Sequence, residues 1–549
     1  MAEINKSKYD RQLRIWGEQG QSALERARVC LLNCGPTGSE TLKNLVLGGV
    51  GSVMVVDGSK VEVADLGNNF LVDNNSIGQS RAKCVCTFLR ELNDAVGAKF
   101  VEEPPEALLE RDPSFFSQFT LIIATQLPEN ALLKLDRICR QQNGILIIAR
   151  SYGLTGLVRI SLKEHDVVES KPVHFASDLR LHKPWPELKR FVDGFNIHIE
   201  DPVIHKNIPY VVILVKLAEE WKHMHNGLLP VKREEQKQFT DNLINKMISL
   251  DEDNYKEARK ASFEVWASSG ISSHLRCIIN DSSAEVSSNS SDFWVLVAAL
   301  KEFVANEGEG EVPLEGSIPD MTSLTEYYVD LQKVYQAKAE ADSIAVESRV
   351  RTILKNIGRD PDSIPNAAIK NFCKNAKKLR VCRYRSLEDE FKAPVSTELQ
   401  KYLGDENYSG AVGFYILLRA VDHFATAYNR YPGVFDGLLR IELLTYISLL
   451  VHSEVVGRPR IEEMDEDVSR LKTIAVGLLN DMGCNGAKLS EDLISEMCRF
   501  GASEIHSVAA FVGGVASQEA IKLITKQFVP LTATFVFNGI DHKSQQLRL

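Results

Sequence analysis

The chain contains no Cys-x-x-Cys pair. Its ten cysteines are scattered, without paired spacing apart from Cys84-x-Cys86. Structural zinc sites and the disulfide frameworks of small secreted domains both need paired spacing, so neither organises this chain, and reduced thiols are expected. An excess of positive charge is also missing: 74 acidic residues outnumber 64 Lys and Arg, a net charge of −10. A nucleic-acid partner therefore gets no electrostatic support. No uninterrupted apolar run has membrane-spanning length. The longest candidate, Leu438 to Val456, is broken by Arg440, Glu442, His452 and Glu454 and reads as a buried or interface helix. The opening, Met1 to Arg14, is polar and charged, unlike a secretory leader. These exclusions point to the cytosol or nucleus.

What is present is an ordinary globular composition, 44% hydrophobic and 25% charged over 549 residues, enough for about three to four domain-sized units. Residues 18–28 have the spacing of a short amphipathic helix. Val29-Cys-Leu-Leu32 is a short apolar run of the kind a buried parallel strand shows, followed by the turn Asn33-Cys-Gly35-Pro-Thr-Gly38 and by helical spacing from Ser39 to Val46. Gly48-Gly49-Val-Gly51 ends that helix, and Val53 to Val56 forms a second strand closed by Asp57-Gly58. Helices over 81–93 and 129–142 and strands at 121–124 and 145–148 continue the alternation. The pattern predicts a doubly wound α/β unit over residues 1–165.

From 166 to about 488 long helical patterns dominate, at 210–224, 231–248, 253–268, 292–305, 323–355, 365–376, 396–404 and 409–428. Polar linkers, among them 281–291 and 305–317, separate them. After 489 comes a further helix, then a small-residue-rich helix at 508–524 and a strand at 534–537. The expected organisation is a discontinuous α/β domain, 1–165 and 489–549, with a helical insertion at 166–488.

A glycine turn between strand and helix can cradle phosphate on backbone N–H groups. An acidic residue about 20 positions later can bind a ribose hydroxyl, and Asp57 stands there. The turn is degraded, with Asn33 at its first glycine position and Pro36 in its middle. By itself it is weak evidence for any nucleotide, and it reads more readily as a strand-to-helix turn kept for packing.

Three blocks carry a family resemblance. Tyr9-Asp-Arg-Gln-Leu-Arg-Ile-Trp-Gly17 resembles the opening helix of ubiquitin-activating enzymes and their bacterial adenylyltransferase relatives. Thr41 to Gly51 followed by Val56-Asp57 is similar to the family's first helix and second strand. Val512-Gly-Gly-Val-Ala-Ser-Gln-Glu-Ala-Ile-Lys522 followed by Phe528-Val-Pro530 is similar to its closing helix. The blocks stand at both ends of the chain in the family's order. The long insertion and the segment from Ile318-Pro-Asp-Met321 to Tyr335 most resemble the regulatory subunits of neddylation-activating enzymes, a group also described as amyloid-precursor-protein-binding proteins.

The resemblance implies a Rossmann-like, adenylyltransferase-type fold and the activation of a ubiquitin-like modifier by adenylation of its C-terminus. It also marks departures. The magnesium-binding aspartate of active members corresponds to Leu127, which has no oxygen to offer a metal. Their phosphate-binding arginine corresponds to Asn68, in Asp65-Leu-Gly-Asn68-Asn69, and a phosphate-contacting lysine to Arg81. With the degraded turn at Asn33, Gly35 and Gly38, these losses imply that the chain does not adenylate alone, holds no metal or cofactor of its own, and leaves ATP and magnesium to a partner subunit. Arg11 is then the cation supplied in trans to the partner's ATP, with Arg14 its neighbour on the same helix face.

The thioester cysteine is expected on the partner. Cys382, in the basic run Lys377 to Arg385, reads as a packed thiol beside a solvated face. Candidate contacts with the partner are Pro209, Tyr210, Ile318, Pro319, Asp320, Met321, Tyr327, Tyr328 and Leu331, positions that core packing explains equally well. Implied partners are the catalytic subunit, the modifier, a conjugating enzyme and the amyloid precursor protein tail, in a pathway leading to cullin modification. Residues 435–460 have no counterpart in the family pattern; they are a lineage-specific insertion or retained non-coding sequence. Competing readings are a non-catalytic scaffold, an NAD-linked oxidoreductase built on Asp57, and a regulatory subunit for another modifier, a group lacking so long an insertion.

Overall fold

The computed structural model describes residues 8–172, 178–266, 271–392, 396–405, 409–435 and 461–549. The apolar stretch Leu438 to Val456, and residues 436–460 of the segment without a family counterpart, lie outside the described residues. The chain forms two compact units, 1–165 with 381–549, and 166–380.

The first unit is built on one eight-stranded sheet. Its strands are β1 (Arg28–Leu32), β2 (Ser52–Val56), β3 (Gly97–Val101), β4 (Leu121–Ala124), β5 (Ile145–Tyr152) and β6 (Thr155–Ser161), with Thr534–Asn538 and Lys543–Leu547 near the C-terminus. In spatial order they run Lys543–Leu547, Thr534–Asn538, β6, β5, β4, β1, β2, β3. The five strands β1 to β5 pair in parallel, and the last three pair antiparallel. The chain winds outward from β1 in one direction and then from β4 in the other. The gap above the ends of β1 and β4 is therefore the topological switch point, where this architecture places ligands.

Helices cover both faces. Leu42, Val85, Leu89 and Val512 pack with Val29, Leu31, Val53 and Val55 on one side. Leu108, Leu132 and Leu135 pack with Cys30, Leu32, Ile122 and Ile148 on the other. Strands buried on both faces must be apolar at every position, which is why β1 and β4 read as unbroken apolar runs. The helix His506–Thr525 has the length and apolarity of a membrane span. Here it lies on the helix Pro36–Leu47 and its Val512, Ala516 and Ala520 are sheet-side core.

The expected insertion boundary at 488 is too late. The chain returns to the first unit at Val381. Ser409–Tyr428, Ile461–Asp481 and Glu491–Phe500 bury Phe414, Phe424, Leu471 and Met497 against Tyr152, Val536 and Leu547 of the sheet. The described residues between 381 and 488 thus extend the α/β unit. The second unit holds the helices Tyr210–Met224, Arg233–Asn245, Asp253–Ala261, Asp292–Ala305, Thr325–Asn356 and Asn366–Lys374. Its core includes Leu188, Val212, Phe239, Leu243 and Tyr335.

Candidate functional site

At the switch point the chain leaves β1 through Asn33, whose φ is +65°. Its Nδ2 donates to the Thr125 carbonyl at 2.9 Å, and Thr125 Oγ1 returns a bond to the Asn33 carbonyl at 2.6 Å. The first position of the glycine turn is therefore bolted to the end of β4. Gly35 precedes the helix Pro36–Leu47, whose first residue is a proline, a position where the missing N–H costs nothing. Gly38 lies buried in the first turn of that helix.

Asp57 is completely buried, and its carboxylate is fully used within the chain. Oδ2 accepts from Cys34 N at 2.9 Å, Cys34 Sγ at 3.2 Å and Arg81 Nε at 2.9 Å. Oδ1 accepts from Ser59 N at 2.8 Å. Burial alone would raise the pKa of this carboxyl. The Arg81 charge and hydrogen bond, with the Ser59 and Cys34 N–H groups, more than offset it and hold the carboxyl below the usual range. The Cys34 thiol is driven well up, first by burial and then by the Asp57 charge. The acceptor expected for ribose is thus spent on the turn and on Arg81, which removes the basis for the oxidoreductase reading.

Arg81, expected at a phosphate, points to carboxylates instead: besides Asp57, its Nη1 lies 3.3 Å from Asp65 Oδ1. Asn68 is half-buried, and its Nδ2 reaches only the Ala64 carbonyl, at 3.5 Å. Its neighbour Asn69 is buried and donates to the Cys34 carbonyl at 2.9 Å, pinning the 65–71 loop to the glycine turn. Leu127 is 3% exposed and packs among Leu132, Leu135 and Ile148. An apolar core contact thus occupies the position that resemblance gives to a metal ligand. The residues here do not fit a magnesium ion: the position that resemblance gives to its aspartate ligand is Leu127, which has no oxygen donor. Among the described residues no cluster of metal-ligating side chains occurs anywhere.

Sequence reasoning missed Glu504. Its carboxylate takes two bonds from Thr37, the second residue of the helix Pro36–Leu47, at 3.0 Å from N and 2.6 Å from Oγ1. Ser151 Oγ is 3.3 Å away. No local signal marks Glu504, since the contact joins residues 467 apart in sequence.

The helix Asp10–Arg26 is interrupted at Gly17, whose φ of +69° and ψ of 179° are open to glycine and break the helical path. The segment before the break is anchored at both ends. Tyr9 is 3% exposed and its hydroxyl accepts from Asn93 Nδ2 at 2.8 Å. Trp16 is buried, donates to Gln21 Oε1 at 3.0 Å, and its carbonyl accepts from Gln527 Nε2 at 2.9 Å. Between these anchors Arg11 is exposed and has no hydrogen bond or ion pair among the described residues. Arg14 is exposed too, but pairs with Asp10 at 2.8 Å.

In the second unit, Tyr210, Ile318 and Leu331 belong to that unit's own core. Leu331 has no exposed surface, and Pro209 is buried as well. Met321 and Tyr328 pack on the same core, and the Tyr327 ring meets Phe195 at 4.9 Å. Pro319 is half-buried and Asp320 exposed. As partner contacts, Pro209, Tyr210, Ile318 and Leu331 are therefore corrected: their surface is consumed by packing. Cys382 is likewise 5% exposed within the first unit's core.

A doubly wound sheet with a glycine turn at its switch point, closed by a C-terminal helix and antiparallel strands, defines the class. The ThiF family model matches residues 9–549, and the chain belongs to the ThiF family. It is 65% identical over 545 residues to the NEDD8-activating enzyme E1 regulatory subunit AXR1 of Arabidopsis thaliana, covering 99% of this chain and 96% of that protein. It is 39% identical over 553 residues to the NEDD8-activating enzyme E1 regulatory subunit of Xenopus laevis, covering 100% and 99%. It is 26% identical over 567 residues to the corresponding Saccharomyces cerevisiae subunit, covering 99% and 100%.

Proposed function

We propose that this chain is the regulatory subunit of a heterodimeric NEDD8-activating enzyme. The observation that carries the reading is end-to-end identity, 65% over 99% of the chain, with a protein of that name. The reaction on this reading is acyl transfer. The modifier's C-terminal carboxylate attacks the α-phosphate of ATP, pyrophosphate leaves, and the acyl adenylate is passed to a thioester on the catalytic subunit. This chain does not adenylate alone. Its ribose acceptor is spent on Arg81 and its metal position is apolar, so ATP and magnesium belong to the partner.

Arg11 supplies a cation in trans to the partner's ATP. It has no ion pair among the described residues, is exposed and is held on a segment fastened by Tyr9 and Trp16, so little reorganisation is needed when phosphate charge develops. Beside it an open groove lined by Gln12, Trp16, Leu47, Phe511, Val515 and Gln518 offers apolar surface for the partner; Leu47 and Phe511 are both exposed. Further partners on this reading are the modifier, the conjugating enzyme that receives it and the amyloid precursor protein tail, in the cytoplasm and nucleus.

The test is direct. The purified chain with modifier and ATP should form no acyl adenylate, and addition of the catalytic subunit should start ATP–pyrophosphate exchange. Adenylate formation by the chain alone would overturn the reading.

A further inference from the structure

A cavity of about 50 Å³ lies where β5, β6, the helix Glu129–Gln141 and the helix Ser409–Tyr428 meet. A water needs ~10–15 Å³ of such volume, so the cavity has room for a small ion and none for a nucleotide. Its walls carry Arg150, Arg159 and Arg419 beside Glu129, Glu390 and Asp422. Arg150 and Arg419 are each only 7% exposed.

Every carboxylate oxygen of these three acids already accepts a bond. Arg150 Nη2 reaches Asp422 Oδ1 at 2.8 Å and its Nη1 reaches Oδ2 at 2.9 Å. Arg419 Nε reaches Glu129 Oε2 at 2.9 Å and its Nη2 reaches Oε1 at 3.1 Å. Glu390 takes Arg159 Nε at 2.9 Å on Oε2 and the Tyr415 hydroxyl at 2.8 Å on Oε1. Two donors are left over: Arg150 Nε and Arg419 Nη1 are buried and have no hydrogen-bond partner among the described residues. The charge balance points the same way. Glu129 Oε1 is shared with His423 Nε2 at 3.3 Å, and that bond raises the His423 pKa. With His423 protonated, four cations face three carboxylates.

A buried guanidinium N–H without an acceptor is costly, and a charged acceptor relieves it most. Water would accept from both donors but must then place its own two hydrogens, where each carboxylate oxygen is already engaged. An anion only accepts. We propose that this cavity is a binding site for one monovalent inorganic anion of halide size, held by Arg150 Nε and Arg419 Nη1. The ion ties β5, which carries Arg150, to the helix Ser409–Tyr428, which carries Arg419. It thereby fastens to the sheet a helix that otherwise rests on apolar contacts such as those of Phe414 and Phe424.

The full chain is melted while sodium chloride replaces sodium gluconate at constant ionic strength; gluconate is too large for the cavity. The wild-type Tm should rise in a saturable manner. A concentration ten times the dissociation constant raises the folded-to-unfolded ratio about elevenfold, read here as a rise of about 2 °C. Arg419→Gln, which removes one of the two donors and a charge, should show no saturable rise. Should that variant fail to fold, the wild-type chain decides alone: crystals soaked in sodium bromide should give an anomalous peak within hydrogen-bond reach of Arg150 Nε and Arg419 Nη1. No peak there, or equal melting in chloride and gluconate, overturns the proposal and leaves water as the occupant. A peak without a saturable rise is binding at crystal concentration only and overturns it as well. So does a saturable rise that persists in Arg419→Gln, which would place the ion elsewhere. Neither readout involves adenylation, so the outcome is separate from that of the proposed subunit role.

Discussion

The glycine-turn pocket and the opening helix belong to one unit, and they treat their polar groups in opposite ways. In the pocket the buried charged groups and the turn's polar groups bond one another. Asp57 receives Arg81, Cys34 and Ser59, Asn33 holds Thr125, and Glu504 caps Thr37. On the opening helix Arg11 is left without a partner among the described residues, although aromatic anchors fix the segment that carries it. A site that no longer binds a ligand must satisfy its own buried donors and acceptors, because leaving them unmade is expensive. A site that acts on another molecule must keep its charge uncommitted. On the proposed reading, the contrast separates a pocket closed on itself from a cation offered to the partner, within one unit.

The comparison can be broken from either side. The largest effect is expected for Arg81→Ala, which strands a fully buried carboxylate. Denaturant unfolding should show a loss of about 3–5 kcal/mol. The pH dependence should also invert. In wild type the depressed Asp57 pKa contributes stability that is present above the unfolded value of ~4 and lost as pH falls through the folded one. Without Arg81 burial dominates and raises the folded pKa, so the variant's deficit should be greatest at neutral pH and narrow on acidification. A deficit that is independent of pH would show that Arg81 does not serve Asp57.

Next in size is Leu331→Ala in the second unit. A side chain with no exposed surface should cost roughly 2–5 kcal/mol when truncated, read as a lower midpoint of the isolated chain. Unchanged stability together with weaker binding of the catalytic subunit would restore Leu331 to an interface. Arg11→Ala follows. In the reconstituted heterodimer ATP–pyrophosphate exchange should fall at least about tenfold, or ~1.4 kcal/mol, with no change in melting. Unchanged exchange would leave the chain as a scaffold. Smallest is Arg14→Ala, which removes an exposed pair with Asp10. It should leave stability unaltered and lower exchange less than Arg11→Ala does; the reverse order would make Arg14 the cation that crosses.

Much of the first unit could be read directly. β1, β2, β4 and β5 are buried between helices and print as apolar runs, and the Pro36–Leu47 helix follows its turn at the expected spacing. β3 and β6 escaped notice. β3 is an edge strand with a half-exposed pattern, and β6 carries Arg159, a buried charge held by Glu390 at 2.8 Å, in the middle of its run. The helices at 409–428 and 461–481 illustrate a different limit. Periodicity announces that a helix has a buried face but not which sheet or bundle will bury it, and so the insertion was drawn more than a hundred residues too long.

Residue type alone determined what this pocket cannot offer. Leucine has no oxygen for a metal and Asn68 has no charge for a phosphate, whatever surrounds them. The order of apolar runs and turns likewise determined a doubly wound sheet with its switch point after β1. Only the tertiary structure decided what became of the vacated positions: Arg81 turned to Asp57, Leu127 joined the core, and Glu504 arrived from 467 residues away to sit on Thr37. The reason is physical. Local sequence carries the chemistry of each side chain and the period of each element, whereas the pairing of buried charges depends on which distant segments the fold brings within 3 Å.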